Sequence, residues 1–178
     1  MRKTIVVACG IVLAAAPVLF AQGFKTIRER LTGFQETPLA LSTSGKGVFH
    51  ARISNNETMI AYELSYRDLE SDVTQAHIHF GETGQTGGVS AFLCTNVGGP
   101  AGTQACPPAP ATISGVIDAA DVIGPAGQGI AAGELDELIR AIRAGSAYVN
   151  VHTTGYPFGE IRADFGGHGG HGNDDDDD

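Results

Sequence analysis

The stretch Ala76-His77-Ile78-His79-Phe80-Gly81 decides how this chain is read, because it alternates histidines with small or apolar residues. Successive side chains of a β-strand point to opposite faces of the sheet. His77 and His79 therefore share one face, while Ala76, Ile78 and Phe80 share the other. This alternation predicts a strand that buries an apolar face in a core and carries two imidazoles on its second face.

A second stretch, Tyr148-Val149-Asn150-Val151-His152-Thr153, repeats the pattern far along the chain. Val149 and Val151 fall on one face, and Tyr148, Asn150 and His152 fall on the opposite one. Two strands with polar faces need a common explanation. They form either a satisfied hydrogen-bond network or a functional site.

The rest of the chain predicts an all-β fold with one short helix. Extended segments are predicted at about residues 24–37, 45–53, 58–66, 73–80, 89–94, 112–117, 147–152 and 159–165. The helix is predicted over 134–144, where Leu135, Leu138, Ile139 and Ile142 form one apolar stripe and Gly145 follows as a stop signal. Eight short strands joined by Gly-rich turns predict an antiparallel β-sandwich or barrel with Greek-key connections.

The two ends of the chain differ from this domain. Arg2 and Lys3 precede an apolar run that ends near Ala21, which predicts a signal peptide over 1–21 and export to the periplasm or medium. A retained membrane anchor is the alternative; after cleavage no membrane contact is expected. Residues 166–178 contain only Gly, His, Asn and Asp, so we expect a disordered tail after a domain at 22–165. The tail either serves solubility or gathers divalent cations loosely.

Charge and cysteines narrow the class further. The chain has 20 acids against 11 bases, and loss of Arg2 and Lys3 with the leader makes it more acidic. Nucleic acid is therefore an unexpected partner. Beyond the leader two cysteines remain, Cys94 and Cys106, and an even count in an exported protein predicts a disulfide.

Five blocks in order resemble the CHRD (chordin) domain family. They occupy residues 31–38, 76–81, 138–145, 147–153 and 157–162, and the resemblance spans about 28 to 165. It implies an immunoglobulin-like β-sandwich of the kind found in chordin and, singly, in many secreted microbial proteins. It supplies no activity, so the expected partner is an unidentified protein or small ligand.

The histidines carry the most specific functional hypothesis. His77 and His79 offer two ligands from one strand, and His152 offers a third if its strand is a neighbour. Three neutral imidazoles suffice for an open copper or zinc site. The alternative is a buried polar network that fixes strand register. That network would contain the histidines together with Tyr148, Asn150, Glu160, Arg162 and Glu36.

Catalytic constellations are scarce. Neither a Gly-x-Ser-x-Gly elbow nor a His-Glu-x-x-His motif occurs in the sequence. The strand with His77 and His79 is faintly similar to the copper-binding strand of Cu/Zn superoxide dismutase, but the zinc loop and an obvious active-site arginine are missing. We therefore expect a non-enzymatic exported binding protein, with a copper-dependent redox enzyme as the alternative.

Overall fold

The computed structural model describes residues 26–166; the predicted leader and, apart from Gly166, the predicted tail lie outside these residues. The elements are β1 (Thr26–Thr32), β2 (Lys46–Ile53), β3 (Ile60–Arg67), β4 (Val73–Phe80), β5 (Gly88–Thr95), β6 (Ala111–Ile117), α1 (Leu135–Arg143), β7 (Ala147–Thr153) and β8 (Ile161–Asp164). The helix and seven of the strands lie within a few residues of their expected bounds, whereas β1 ends at Thr32, five residues before the predicted end at 37, because a 3₁₀ turn (Gly33–Gln35) follows it. Within 26–166, no helix has the length and apolar character needed to cross a membrane.

All eight strands join one antiparallel sheet in the order β5-β4-β7-β8-β1-β2-β3-β6. The sheet curls nearly into a barrel: the Gln104 amide donates to the Leu93 carbonyl of β5 at 3.1 Å and to the Ser114 carbonyl of β6 at 3.2 Å. The all-β prediction with one helix is thus confirmed. The two separate sheets of an immunoglobulin-like sandwich are not confirmed, because β8 pairs with both β7 and β1 and joins the strands into one sheet.

The sheet has two halves that differ on their outer faces. We call β5, β4, β7 and β8 the covered half, and β1, β2, β3 and β6 the open half. The halves meet at one residue pair, Thr32 with Arg162. Their inner faces share one apolar core, in which the Phe49 ring stacks on Phe165 at 5.4 Å.

The helix α1 closes this core beside β7. Asp136 and Glu137 lie in its first turn and Arg140 and Arg143 in its last, which complements the helix dipole. Its apolar stripe is buried as predicted. Gly145 follows with φ of 72°, a left-handed conformation that glycine adopts without steric cost.

The predicted disulfide is present between Cys94 of β5 and Cys106 of the loop before β6, with a Cα–Cα distance of 5.0 Å. The Asn96 amide supports the same loop, donating to the Val73 and Cys106 carbonyls at 2.9 Å each. The long β5–β6 connection is therefore fastened to the edge of the covered half.

The covered half is buried on both faces. Every residue of β7 and β8 is buried, including the polar ones, and so are both histidines of β4. Two loops, residues 81–87 and 154–160, contribute carbonyl groups to this outer face. The open half instead alternates buried and accessible residues along each strand. The candidate site lies between the covered half and its loops.

Candidate metal centre

The pairing of β4 with β7 brings the three predicted histidines together. His77 lies opposite Asn150, His79 opposite Tyr148, and Gln75 opposite His152. The ring centroids of His77 and His152 are 4.9 Å apart, those of His77 and His79 are 5.3 Å apart, and those of His79 and His152 are 6.0 Å apart. All three side chains are buried. The juxtaposition expected from the sequence is confirmed.

Two backbone carbonyls determine which ring nitrogens carry protons. Nδ1 of His79 lies 3.0 Å from the Gly87 carbonyl oxygen, and Nδ1 of His152 lies 3.1 Å from that of Pro157. A carbonyl only accepts, so each Nδ1 must be the donor when the ring is neutral. Nε2 of both rings is therefore left with a free lone pair. A backbone carbonyl on the far nitrogen is the usual support of a metal-binding histidine.

The tautomer of His77 follows from that of His152. Nδ1 of His77 lies 3.1 Å from Nε2 of His152. Since that Nε2 is an acceptor, Nδ1 of His77 is the donor, and the lone pair of His77 also lies on Nε2. Nε2 of His77 and Nε2 of His79 are both buried and have no hydrogen-bond partner among residues 26–166.

Burial keeps these rings neutral. Burial, together with the neighbouring His152 and His79, lowers the pKa of His77 to about 2. Burial also lowers the pKa of His79, to about 4, although the Gly87 carbonyl opposes this shift. The pKa of His152 is lowered by burial as well. Neutral imidazoles are the form that binds metal, so at pH 7 protons do not compete for these nitrogens.

Aromatic and cationic side chains form the walls of the cluster. The Tyr148 ring stacks on His79 with centroids 4.7 Å apart and planes 5° from parallel, and Arg162 lies over the other side of that ring with Cζ at 3.5 Å. The Phe92 ring meets His77 edge-on at 4.3 Å. These contacts hold the imidazole planes in place.

Arg162 is held by acceptors that the sequence reasoning did not assign to it. Its Nε donates to Asp164 at 3.0 Å in a buried ion pair that Nη2 also joins, and Nη1 donates to the Gln85 carbonyl at 2.8 Å. Arg162 makes no ion pair with Glu36 or Glu160 among residues 26–166; its partner, Asp164, lies two residues along on the same face of β8. The guanidinium thereby fastens the 81–87 loop over the histidines.

Glu36 and Asn150 form a second buried polar pair next to the cluster. The Asn150 amide donates to both Glu36 carboxyl oxygens, at 2.8 and 3.0 Å. Burial raises the pKa of Glu36 to about 7, although the Arg162 charge and the Asn150 hydrogen bond lower it. Gly159 covers this pair so closely that a Cβ there would lie 2.4 Å from the Asn150 amide nitrogen.

Glu160 belongs to a different network from the one predicted. It is fully buried, accepts from the Thr153 hydroxyl at 2.8 Å and accepts from the Glu70 backbone N–H at 2.8 Å. These contacts fix the turn after β3 to the end of β7. Among residues 26–166, Glu160 therefore makes no hydrogen bond to a histidine.

Sequence reasoning missed the Gly87 and Pro157 carbonyls, the Phe92 wall and Asp164. A backbone carbonyl has no side-chain pattern in the sequence, so nothing in the sequence indicated the role of Pro157. The position of Gly87 was indicated, because it lies in the glycine-rich loop that follows the histidine strand. A Cβ on Gly87 would lie 1.7 Å from the Phe80 carbonyl oxygen, so the loop requires glycine where it turns back onto His79.

The donor set fits a transition metal. One nitrogen from each of the three rings lies within 4.8 Å of the other two. Nitrogens bound to one tetrahedral zinc ion at about 2.0–2.1 Å would be about 3.4 Å apart. Binding of one ion by all three rings would require these nitrogens to approach one another and the His77–His152 hydrogen bond to be given up. His79 and His152 would keep their carbonyl partners.

The fold and the cluster define a class: an antiparallel β-domain with three buried neutral histidines under two loops. The chain belongs to the CHRD domain family, whose model matches residues 27–165. Searches of curated proteins and of solved structures find no significant match. The family resemblance noted in the sequence is thereby confirmed for most of the chain.

Proposed function

We propose that this chain is an exported CHRD-domain protein that binds one copper or zinc ion through His77, His79 and His152. The observation that carries the proposal is the pair of buried, unpartnered Nε2 atoms of His77 and His79. A purely structural network would pair every ring nitrogen, because an unsatisfied buried polar atom costs about 1–3 kcal/mol. Metal ligation would satisfy both atoms at once.

The chemistry of the donors supports copper or zinc over harder ions. Imidazole nitrogen suits zinc and copper, whereas magnesium and calcium prefer oxygen ligands. The three rings are uncharged, and a buried carboxyl in the same layer, Glu36, is held by Asn150. The disulfide between Cys94 and Cys106 supports an oxidising compartment outside the cytosol.

Binding fits this site better than turnover. A redox enzyme would need a coordination position open to its substrate, and the unpartnered nitrogens here are shielded beneath the 81–87 and 154–160 loops. The arginine beside the cluster, Arg162, is engaged by Asp164 and by loop carbonyls. We therefore favour a binding protein over the copper-dependent redox alternative.

Isothermal titration calorimetry of the full chain with Zn²⁺ and with Cu²⁺ tests the proposal. His168→Ala and His171→Ala are included in every sample to remove the imidazoles of the tail. We expect one ion per chain, and we expect the double variant His77→Ala/His79→Ala to weaken binding by more than about 100-fold, since loss of a supporting group alone costs 10–100-fold. X-ray absorption should show three nitrogens at about 2.0–2.1 Å.

His50 supplies the matched control, because it lies on the outer face of the open half in β2. His50→Ala should leave affinity and stoichiometry unchanged. Binding that persists in His77→Ala/His79→Ala, or that falls equally in His50→Ala, would reject the site. Superoxide dismutation by the metal-loaded chain above the rate of the free ion would overturn the preference for a binding protein.

A further inference from the structure

The open half carries a concentration of positive charge on an acidic protein. Residues 26–166 contain fifteen acids and eight bases, yet five of those bases lie on the outer face of β1, β2 and β3. We call these five exposed residues the basic face: Arg28, Arg30, Lys46, Arg52 and Arg67. Along the outward positions of these strands Glu63 is the sole acid in the described part of the chain.

The charges of the basic face are mostly unpaired. Arg67 pairs with Asp68 at 2.5 Å. Among residues 26–166, no carboxylate lies within ion-pair distance of Arg28, Arg30, Lys46 or Arg52. An uncompensated group of exposed cations attracts a flexible anion of matching length.

The face also contains depressions that an extended segment would fit. The larger has a volume of about 830 Å³, and the smaller, of about 490 Å³, lies alongside it on β1. Hydroxyl donors interleave with the cations of the larger depression: Thr32, Ser65 and Thr112. Cations with neighbouring hydroxyl groups provide the donors that carboxylates accept from.

The chain itself supplies a matching anion. We propose that the acidic segment Asp174–Asp178 docks on the basic face of its own chain. The last described residue, Gly166, donates its N–H to the Glu29 carboxylate at 3.3 Å, so the chain leaves the fold beside β1; the Glu29 side chain lies on the inner face of that strand, opposite to Arg28 and Arg30. Eight residues from Gly166 to Asp174 span at most ~28 Å, and β3 lies about 10 Å from β1, so the segment can reach the whole face.

Because the acidic segment is tethered to its own chain, it should bind the basic face more tightly than a free segment of equal charge. A short linker gives an effective concentration in the millimolar range, which weak exposed ion pairs can exploit. The docking is electrostatic and lies near the surface, so salt screens it: the Debye length falls from about 10 Å at 0.1 M to about 3 Å at 1 M.

Paramagnetic relaxation in the full chain tests the proposal. A nitroxide is placed on Asn173→Cys, with Cys9→Ser to leave one free thiol, and EDTA is present to keep metal off the tail histidines. We expect the amide signals of Arg28, Arg30 and Arg52 to broaden at least twofold more than those of helix α1. The difference should vanish at 0.5 M NaCl and when all five aspartates are replaced by asparagine.

Two charge reversals are compared as matched variants. Arg28→Glu/Arg30→Glu should abolish the selective broadening. Arg140→Glu/Arg143→Glu changes net charge by the same amount on helix α1 and should leave the broadening in place. Equal broadening of both surfaces, or broadening insensitive to Arg28→Glu/Arg30→Glu, would overturn the proposal.

Other occupants give distinct results. Contacts between copies are detected in a mixture of two samples: one chain carries the nitroxide but no ¹⁵N, and the other carries ¹⁵N but no nitroxide. Selective broadening in that mixture would assign the face to a second copy. Uniform broadening in the single chain, together with arginine shifts on adding dextran sulfate, would assign it to an external polyanion. Both outcomes overturn docking within one chain.

Discussion

The covered and open halves of the sheet share one core but differ in their outer faces, which are buried in the covered half and exposed in the open half. The covered half buries polar groups there: three histidines, an asparagine, an arginine and an aspartate. The open half presents charged residues to solvent at the equivalent positions. On these outer faces polar groups lose hydration in the covered half, so there the fold determines their protonation and hydrogen bonds. A site that depends on neutral imidazoles therefore belongs there.

The largest expected difference between the halves is the change in the free energy of unfolding when an arginine is replaced. Arg162→Met should lower the free energy of unfolding by about 3–5 kcal/mol, because it leaves Asp164 as a buried charge without its partner. Arg30→Met on the open half removes an exposed charge and should change it by less than about 0.5 kcal/mol. Urea denaturation of both variants measures the contrast. Equal effects would show that the Arg162–Asp164 pair is not buried as described.

A pH-dependent difference should follow from Glu36. Its pKa is raised from 4.5 to about 7 by burial, so between these pH values the folded state holds a proton that the unfolded state has released. The stability linked to this proton is complete below pH 4.5 and is lost as pH rises through 7. Glu36→Gln should therefore match the parent near pH 4.5 and exceed it at pH 8 by up to about 3 kcal/mol.

Glu63→Gln is the control for this prediction, since Glu63 is an exposed carboxylate on the open half. It should shift stability by less than about 0.5 kcal/mol at either pH. Thermal or urea unfolding at pH 4.5 and pH 8 provides the measurement. An advantage of Glu36→Gln that is the same at both pH values would contradict the raised pKa.

A smaller change in stability is expected from a substitution at Gly87, where the 81–87 loop contacts His79. Gly87→Ala puts a Cβ against the Phe80 carbonyl and should cost about 1–3 kcal/mol while moving the Gly87 carbonyl away from His79. Gly127→Ala has no atom within 4 Å of the added Cβ and should be nearly neutral. Urea unfolding measures the cost, and ¹⁵N shifts of the His79 ring report the lost hydrogen bond. An unchanged His79 tautomer in Gly87→Ala would show that the carbonyl does not fix it.

Much of the covered half could be predicted from local pattern. The alternation around His77 and around Tyr148 placed polar residues on the outward faces of β4 and β7, and the rings do converge. Predictions of hydrogen-bond partners succeeded less often. The sequence pattern predicts one network for Glu160 and Arg162, but Arg162 pairs with Asp164 on its own strand, and Glu160 accepts from Thr153 across the β7–β8 connection.

For the outer face of the open half, less could be predicted from the sequence. Each of its bases lies at an alternating position that the sequence displays, but the overall acidity of the chain hides their clustering. Three strands must pair in register before bases from β1, β2 and β3 become neighbours. Net charge describes a sum, whereas a binding face depends on how that sum is distributed.

The sequence by itself determined the strands, the helix, the cysteine pair and the residue types of the cluster, because these depend on periodicity and on chemistry within one segment. Tertiary structure decided that β8 joins the strands into one curled sheet, that Gly87 and Pro157 orient His79 and His152, and that two ring nitrogens are buried without partners among residues 26–166. The physical reason is that backbone carbonyls, strand order and burial arise from contacts between distant segments. No local pattern encodes such contacts.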